Sequence, residues 1–213
     1  MNMVLAAAGL TLHLTEPAQI AAVAKMKIPG PWGARSRITA QRHYDLATTS
    51  AAALALPAVI VDATWVSHPL LIPVWAGLAI LLPCAVWWGS SRGIRVRRHS
   101  TVLSTLPAAA AGEEVLWRAA APLLLAHWGI PSLASIAASA AVFIALHYRR
   151  NARTAGLAYI ALFTTITWGA MVMSGLVAAI AVHIAHNLAL ALLEPIKDVG
   201  AGGGPPPLSQ DIW

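Results

Sequence analysis

Apolar residues fall along this chain in long blocks, and polar residues gather in the short gaps between them. A helix needs about 20 mainly apolar residues to cross a bilayer. Six blocks meet or approach that length: 46–66, 69–88, 107–127, 132–148, 155–173 and 176–193. Inside lipid the backbone must satisfy its own hydrogen bonds, so each block is predicted to be an α-helix. The expected fold class is therefore all-α, a polytopic transmembrane helix bundle of six spans. Trp128-Gly129-Ile130-Pro131 ends the third block, and Ser174-Gly175 makes a tight turn between the fifth and sixth. The stretch 99–106 is semi-polar and expected along the interface, with Pro107 suited to the first turn of the next helix. The apolar run 1–14 is short, with no basic residues before it, and is expected to be an interfacial or partial segment rather than a cleaved leader.

The gaps set an orientation. Lys25, Lys27, Arg35, Arg37 and Arg42 precede the first block. Arg92, Arg95, Arg97 and Arg98 follow the second, Arg149, Arg150 and Arg153 the fourth, and Lys197 the sixth. All fall on one side of a six-span path, and the turns near His68, Gly129 and Ser174 carry no Lys or Arg. Basic loops mark the cytoplasmic side, so both termini are expected there. Of the 14 basic residues only Arg118, inside the third block, departs from the pattern. Trp87, Trp88 and Trp128 near block ends are expected as interfacial anchors. The expected organisation is a cytoplasmic amino-terminal arm at 1–44, a transmembrane domain at 45–198, and a disordered tail at 199–213 containing Gly-Gly-Gly-Pro-Pro-Pro.

Composition narrows the class. Hydrophobic residues make up 58% and charged residues 10% of the 213, against about 25% charged in a soluble domain. The net charge of +6 is spread over short blocks rather than gathered on an aromatic-laced basic face. That excludes nucleic acid as a partner and points to anionic lipid headgroups. A single cysteine, Cys84, permits no intrachain disulfide. Arg outnumbers Lys by 11 to 3 and Ala is abundant, which points to a GC-rich bacterial genome and a multi-pass protein of the bacterial inner (plasma) membrane. The chain holds no HExxH, P-loop or GxSxG motif and no internal repeat.

Ionisable residues inside a span are costly and are functional candidates by default. The third block contains Glu113, Glu114 and Arg118. Glu114 and Arg118 stand four apart on one helix face and can pair, which lowers the cost of burying both. Glu113 is turned away by about 100° on a regular helix and has no obvious local partner. A carboxyl in a low-dielectric site is a candidate general base. The fourth block ends with Phe143 and His147 on one face, and the sixth holds His183, His186 and Asn187. His127 and His186 read as packing residues. On the six-span path Glu113, His147, His183 and Asn187 all fall in the cytoplasmic half, so three helices are expected to offer them to a common cavity.

Glu113 to Arg118 reads EExxxR, Phe143 to His147 reads FxxxH, and His183 to Asn187 reads HxxxN. In this order, on three predicted spans, the motifs resemble those of the CPBP family, which includes type II CAAX prenyl endopeptidases and bacterial relatives tied to bacteriocin self-immunity. The resemblance runs over roughly 101–193. It implies a metal-independent glutamate endopeptidase with no cofactor. Glu113 with His147 would activate a water, His183 and Asn187 would form an oxyanion hole, and Arg118 paired with Glu114 would brace the site beside Phe143. The implied partner is a membrane-bound peptide or protein. The sequence leaves its identity, its cut site, any lipidation and the oligomeric state open.

Other readings are compatible with the same residues. Glu113, His147 and His183 could hold a zinc ion with a water. The chain could also serve as a non-enzymatic immunity or scaffold protein. Buried Glu and His could relay protons in a transporter, but no inverted repeat or pair of broken helices supports that.

Overall fold

A computed structural model of the chain describes residues 2–25, 36–88, 93–96, 105–148 and 154–196. The chain divides into two compact units, the first made of 1–63 and 105–139, the second of 64–104 and 140–213.

The first unit opens with α1 (Asn2–Lys25) and α2 (Ser36–Asp62). Alanine dominates their contact. Ala6, Ala51, Ala55, Ala58 and Val59 are all buried, and small side chains let two backbones approach closely. Gly9 sets the limit: a Cβ there would lie 2.3 Å from the Ala51 carbonyl oxygen. The run 1–14, expected at the interface or as a partial segment, therefore lies within a helix laid against α2. Beyond it come α4 (Leu106–Glu114), one turn of π-helix (Val115–Ala120) and α5 (Ala121–His127). Gly112 brings α4 against α2, where an added Cβ would sit 3.1 Å from the Thr48 carbonyl oxygen. Thr105, just before α4, donates a hydrogen bond to Asp45 on α2. Gly129, at φ +84°, closes α5. Its N–H donates to Ala126 and that of Ile130 to Leu125, the paired bonds of a glycine-capped helix end. The first eight residues of α6 (Ser132–Tyr148) belong to this unit, and Ser139 donates to the Trp117 carbonyl.

The second unit holds a 3-10 turn (Pro69–Leu71), α3 (Ile72–Trp88), α7 (Thr154–Ser174), α8 (Leu176–Leu192) and the remainder of α6. α8 packs on both α3 and α7. The turn between α7 and α8 is anchored by the loop before α3. Leu176 N–H donates to Thr64 and Val177 N–H to Trp65. Gly175 sits at φ +90°, and a Cβ there would lie 2.6 Å from the Trp65 carbonyl oxygen. Ser174 is fully buried in this turn. Two short strands, β1 (Ile94–Val96) and β2 (Leu193–Pro195), pair antiparallel with Arg95 opposite Glu194. They lie directly after α3 and α8, and the sequence pattern did not anticipate them. Arg95 Nε donates to Glu194 Oε1 at 2.7 Å.

The blocks 132–148, 155–173 and 176–193 return as single helices within a few residues of their expected ends, 69–88 returns as a 3-10 turn running into α3, and 46–66 returns within α2, which begins ten residues earlier. Among the described residues three are long and apolar enough to cross a membrane: Arg42–Asp62, Pro69–Trp88 and Gly156–Ser174. Ser132–His147 and Leu176–Leu192 are apolar but shorter. The block 107–127 returns as α4, the π-turn and α5, and it carries three charged residues. Large apolar side chains face outward, Leu70, Leu81 and Val172 among them, as a lipid-facing surface requires. Trp88 and Trp128 are exposed, but Trp87, expected beside them as an anchor, is buried, because successive helical residues point about 100° apart. The basic block 149–153, most of the interfacial stretch 99–106, Lys27, Arg35, Lys197 and the tail 199–213 lie outside the described residues.

Candidate active site

The first unit carries the acidic part of the candidate site. Glu113 and Glu114 end α4, and Arg118 lies in the π-turn that follows. All three are buried, with exposures of 4%, 0% and 1%. Arg118 Nε lies 3.4 Å from Glu114 Oε2, so the expected pair is present. The π-turn widens the helix where the pair forms, a local distortion that is frequent at functional sites. Helical spacing gave Glu113 no local partner, and the structure supplies a distant one. Tyr44 on α2 donates its phenol proton to Glu113 Oε1. The two residues are 69 apart in sequence, beyond the reach of any local rule.

The second unit carries the imidazole and amide part. His147 is buried near the end of α6, and its Nδ1–H donates to the Phe143 carbonyl at 2.9 Å. A carbonyl only accepts, so Nδ1 holds the proton and the lone pair of the neutral ring lies on Nε2. The Phe143 ring stacks 4.2 Å from the His147 ring and meets His183 edge-on at 6.4 Å. Phe143 thus touches both candidate histidines. His183 is fully buried, with Phe163 on another side at 5.0 Å. Asn187, one turn along α8, is 8% exposed. Its Oδ1 has no hydrogen-bond partner among the described residues.

His186 has a structural role, as its sequence setting suggested. Its Nδ1–H donates to Ala79 on α3 at 3.0 Å, and its Nε2 accepts from Tyr159 on α7 at 3.1 Å. Both nitrogens are used to tie three helices together. His127 is exposed. Among the described residues no three His, Cys, Asp or Glu side chains cluster as a metal-binding set.

Each unit thus assembles its own share of the motif residues: Glu113, Glu114 and Arg118 in the first; Phe143, His147, His183 and Asn187 in the second. Tyr44 was missed, and so was a buried polar cluster beside it, His13, Glu16 and Thr48. One signal was available. His13 and Glu16 are three apart in an amino-terminal apolar stretch, the spacing of a pair that shares a helix face.

A family model described as Type II CAAX prenyl endopeptidase Rce1-like matches residues 97–189. That segment contains all three motifs, and it agrees with the family resemblance read from them. No match emerges among curated proteins or among solved structures.

Proposed function

We propose that this chain is an intramembrane endopeptidase that hydrolyses a peptide bond in a membrane-associated peptide or protein. The observation that carries the reading is the burial of four chemically apt side chains within the matched segment. Glu113, His147, His183 and Asn187 are exposed by only 4%, 6%, 0% and 8%. Burying such groups is costly and needs a return in function.

In this reading Glu113 takes a proton from a water while His147 orients it through its Nε2 lone pair. The water oxygen bonds to the scissile carbonyl carbon, and the carbonyl oxygen becomes an oxyanion. His183 and Asn187 donate to that oxyanion, which a dry, preorganised site stabilises strongly. The proton held on Glu113 passes to the leaving amine as the C–N bond breaks. Arg118 and Glu114 fix the helix that carries the base. By the family's description, a peptide with a prenylated CAAX end is the first substrate class to test.

The test uses the protein in lipid nanodiscs with internally quenched peptides, a farnesylated CAAX peptide and its unlipidated twin among them. It is paired with proteomics of cells expressing wild type or Glu113→Gln. Wild type cleaves a peptide, Glu113→Gln does not, and an uncut membrane polypeptide accumulates in the mutant cells. Chelators leave the rate unchanged. Wild-type turnover by Glu113→Gln, or activity lost to a chelator and restored by zinc, overturns the glutamate mechanism.

A further inference from the structure

We infer that Tyr44 is a positioning residue for Glu113, and that the amino-terminal helix α1 is part of the apparatus that holds it. The inference rests on the reading of Glu113 as the base. Neither Tyr44 nor α1 lies within the matched segment 97–189.

The argument begins with the carboxylate itself. The terminal torsion of a Glu side chain is broad and roughly two-fold. Nothing internal to Glu113 fixes where its oxygens point. A base that must aim a lone pair at one water therefore needs an outside hold. Tyr44 supplies it by donating to Oε1, and fixing one oxygen fixes the plane and direction of the other. Both residues are more than nine-tenths buried. A hydrogen bond from a neutral donor to a charged acceptor is among the stronger kinds.

Tyr44 is itself held. Its ring centre lies 6.0 Å from that of His13 on α1, and His13 lies 5.8 Å from Trp117 in the π-turn. His13 is thus in ring contact with both. His13 Nδ1 stands 3.1 Å from Glu16 Oε2. Thr48, one turn beyond Tyr44 on α2, donates to the same oxygen at 3.2 Å. His13, Glu16 and Thr48 are 4%, 0% and 0% exposed. A buried polar network of this kind has few alternative arrangements and favours one geometry. It seats the tyrosine, and the tyrosine sets the glutamate.

Two readouts test this, one of them independent of turnover. Infrared difference spectra between wild type and Glu113→Gln locate the Glu113 carboxyl band. Tyr44→Phe removes the hydroxyl alone and is expected to move that band. In nanodiscs, with the farnesylated CAAX peptide as probe, Tyr44→Phe is expected to lower kcat roughly ten- to a hundred-fold, the range for loss of one hydrogen bond to a charged group. KM stays within about twofold, as for an effect confined to the transition state. In the Glu113→Gln background Tyr44→Phe is expected to add no further loss. A purely structural tyrosine would lower the melting temperature and leave turnover per folded molecule intact, which overturns the proposal. So does an unmoved carboxyl band. If Tyr44→Phe does not fold, difluorotyrosine incorporated at position 44 keeps the shape and changes donor strength, and the band and kcat must both respond. Failure of the base reading appears separately, as Glu113→Gln with wild-type turnover while the band still shifts in Tyr44→Phe.

Discussion

Glu113 and Glu114 are neighbours in sequence with different surroundings, and substitution should separate them. Glu114 pairs with Arg118 where both side chains are fully shielded from solvent. Removing one partner of a buried pair costs roughly 3–5 kcal/mol. Glu114→Gln is therefore expected to express poorly and melt early in detergent, whereas Glu113→Gln keeps its fold and loses turnover. A stable but inactive Glu114→Gln beside an active Glu113→Gln would reverse the two roles. Asn187 allows a sharper test, since its amide can donate and cannot move a proton. Asn187→Ala is expected to lower kcat roughly a hundred- to a thousand-fold, the cost of one oxyanion donor, with KM little changed. If Asn187 were only glue between helices, its loss would cost about 1 kcal/mol of stability and leave turnover intact. Turnover per folded molecule beside a melting curve decides. The motif residues were legible because each lies within four positions of its motif partner. Tyr44 was not, because its partner Glu113 is 69 residues away and only the packing of α2 on α4 joins them.

At the scale of elements, hydrophobic block length placed α2, α3, α6, α7 and α8 within a few residues, except that α2 begins ten residues before its block. It did not place the π-turn, because 115–120 is apolar at every position but Arg118, so the phase shift of a wider turn has no polar face to show against. Nor did it reveal how α1 sits, because Gly9 reads as a weak helix residue until a neighbouring backbone lies against it. The glycines make this testable. A Cβ at Gly9 would lie 2.3 Å from the Ala51 carbonyl oxygen, whereas at Gly77, within α3, it would meet nothing within 4 Å. Gly9→Ala is expected to force α1 and α2 apart and cost roughly 1–3 kcal/mol, the range for overpacking. Gly77→Ala is expected to be neutral or stabilising by about 0.5–1 kcal/mol through helix propensity. Melting of the two variants in one detergent checks the contrast, and equal effects would remove the close α1–α2 contact.

For the whole molecule, the basic-loop pattern predicts both termini on the cytoplasmic side, and the span Pro69–Trp88 offers the simplest test. Its 20 residues rise about 30 Å as a helix, one hydrocarbon thickness. His68 precedes it and Arg95 lies just beyond it, and both are exposed. In a Cys84→Ser background, His68→Cys is expected to react with an impermeant thiol reagent added outside cells, and Arg95→Cys is not. Labelling of Arg95→Cys from outside would overturn the orientation. The short ribbon of β1 and β2 carries a consequence for handling the protein. It fastens the chain leaving α8 to the chain leaving α3 through backbone bonds, extended by Ile196 N–H donating to Gly93 at 2.9 Å. Asn187 lies five residues before the end of α8, about 7.5 Å along the axis. A pull applied to the carboxyl-terminal end meets the backbone bonds of the ribbon before it reaches that helix. Tethers, affinity handles and fluorescent fusions therefore belong after residue 196, with the ribbon standing between them and Asn187.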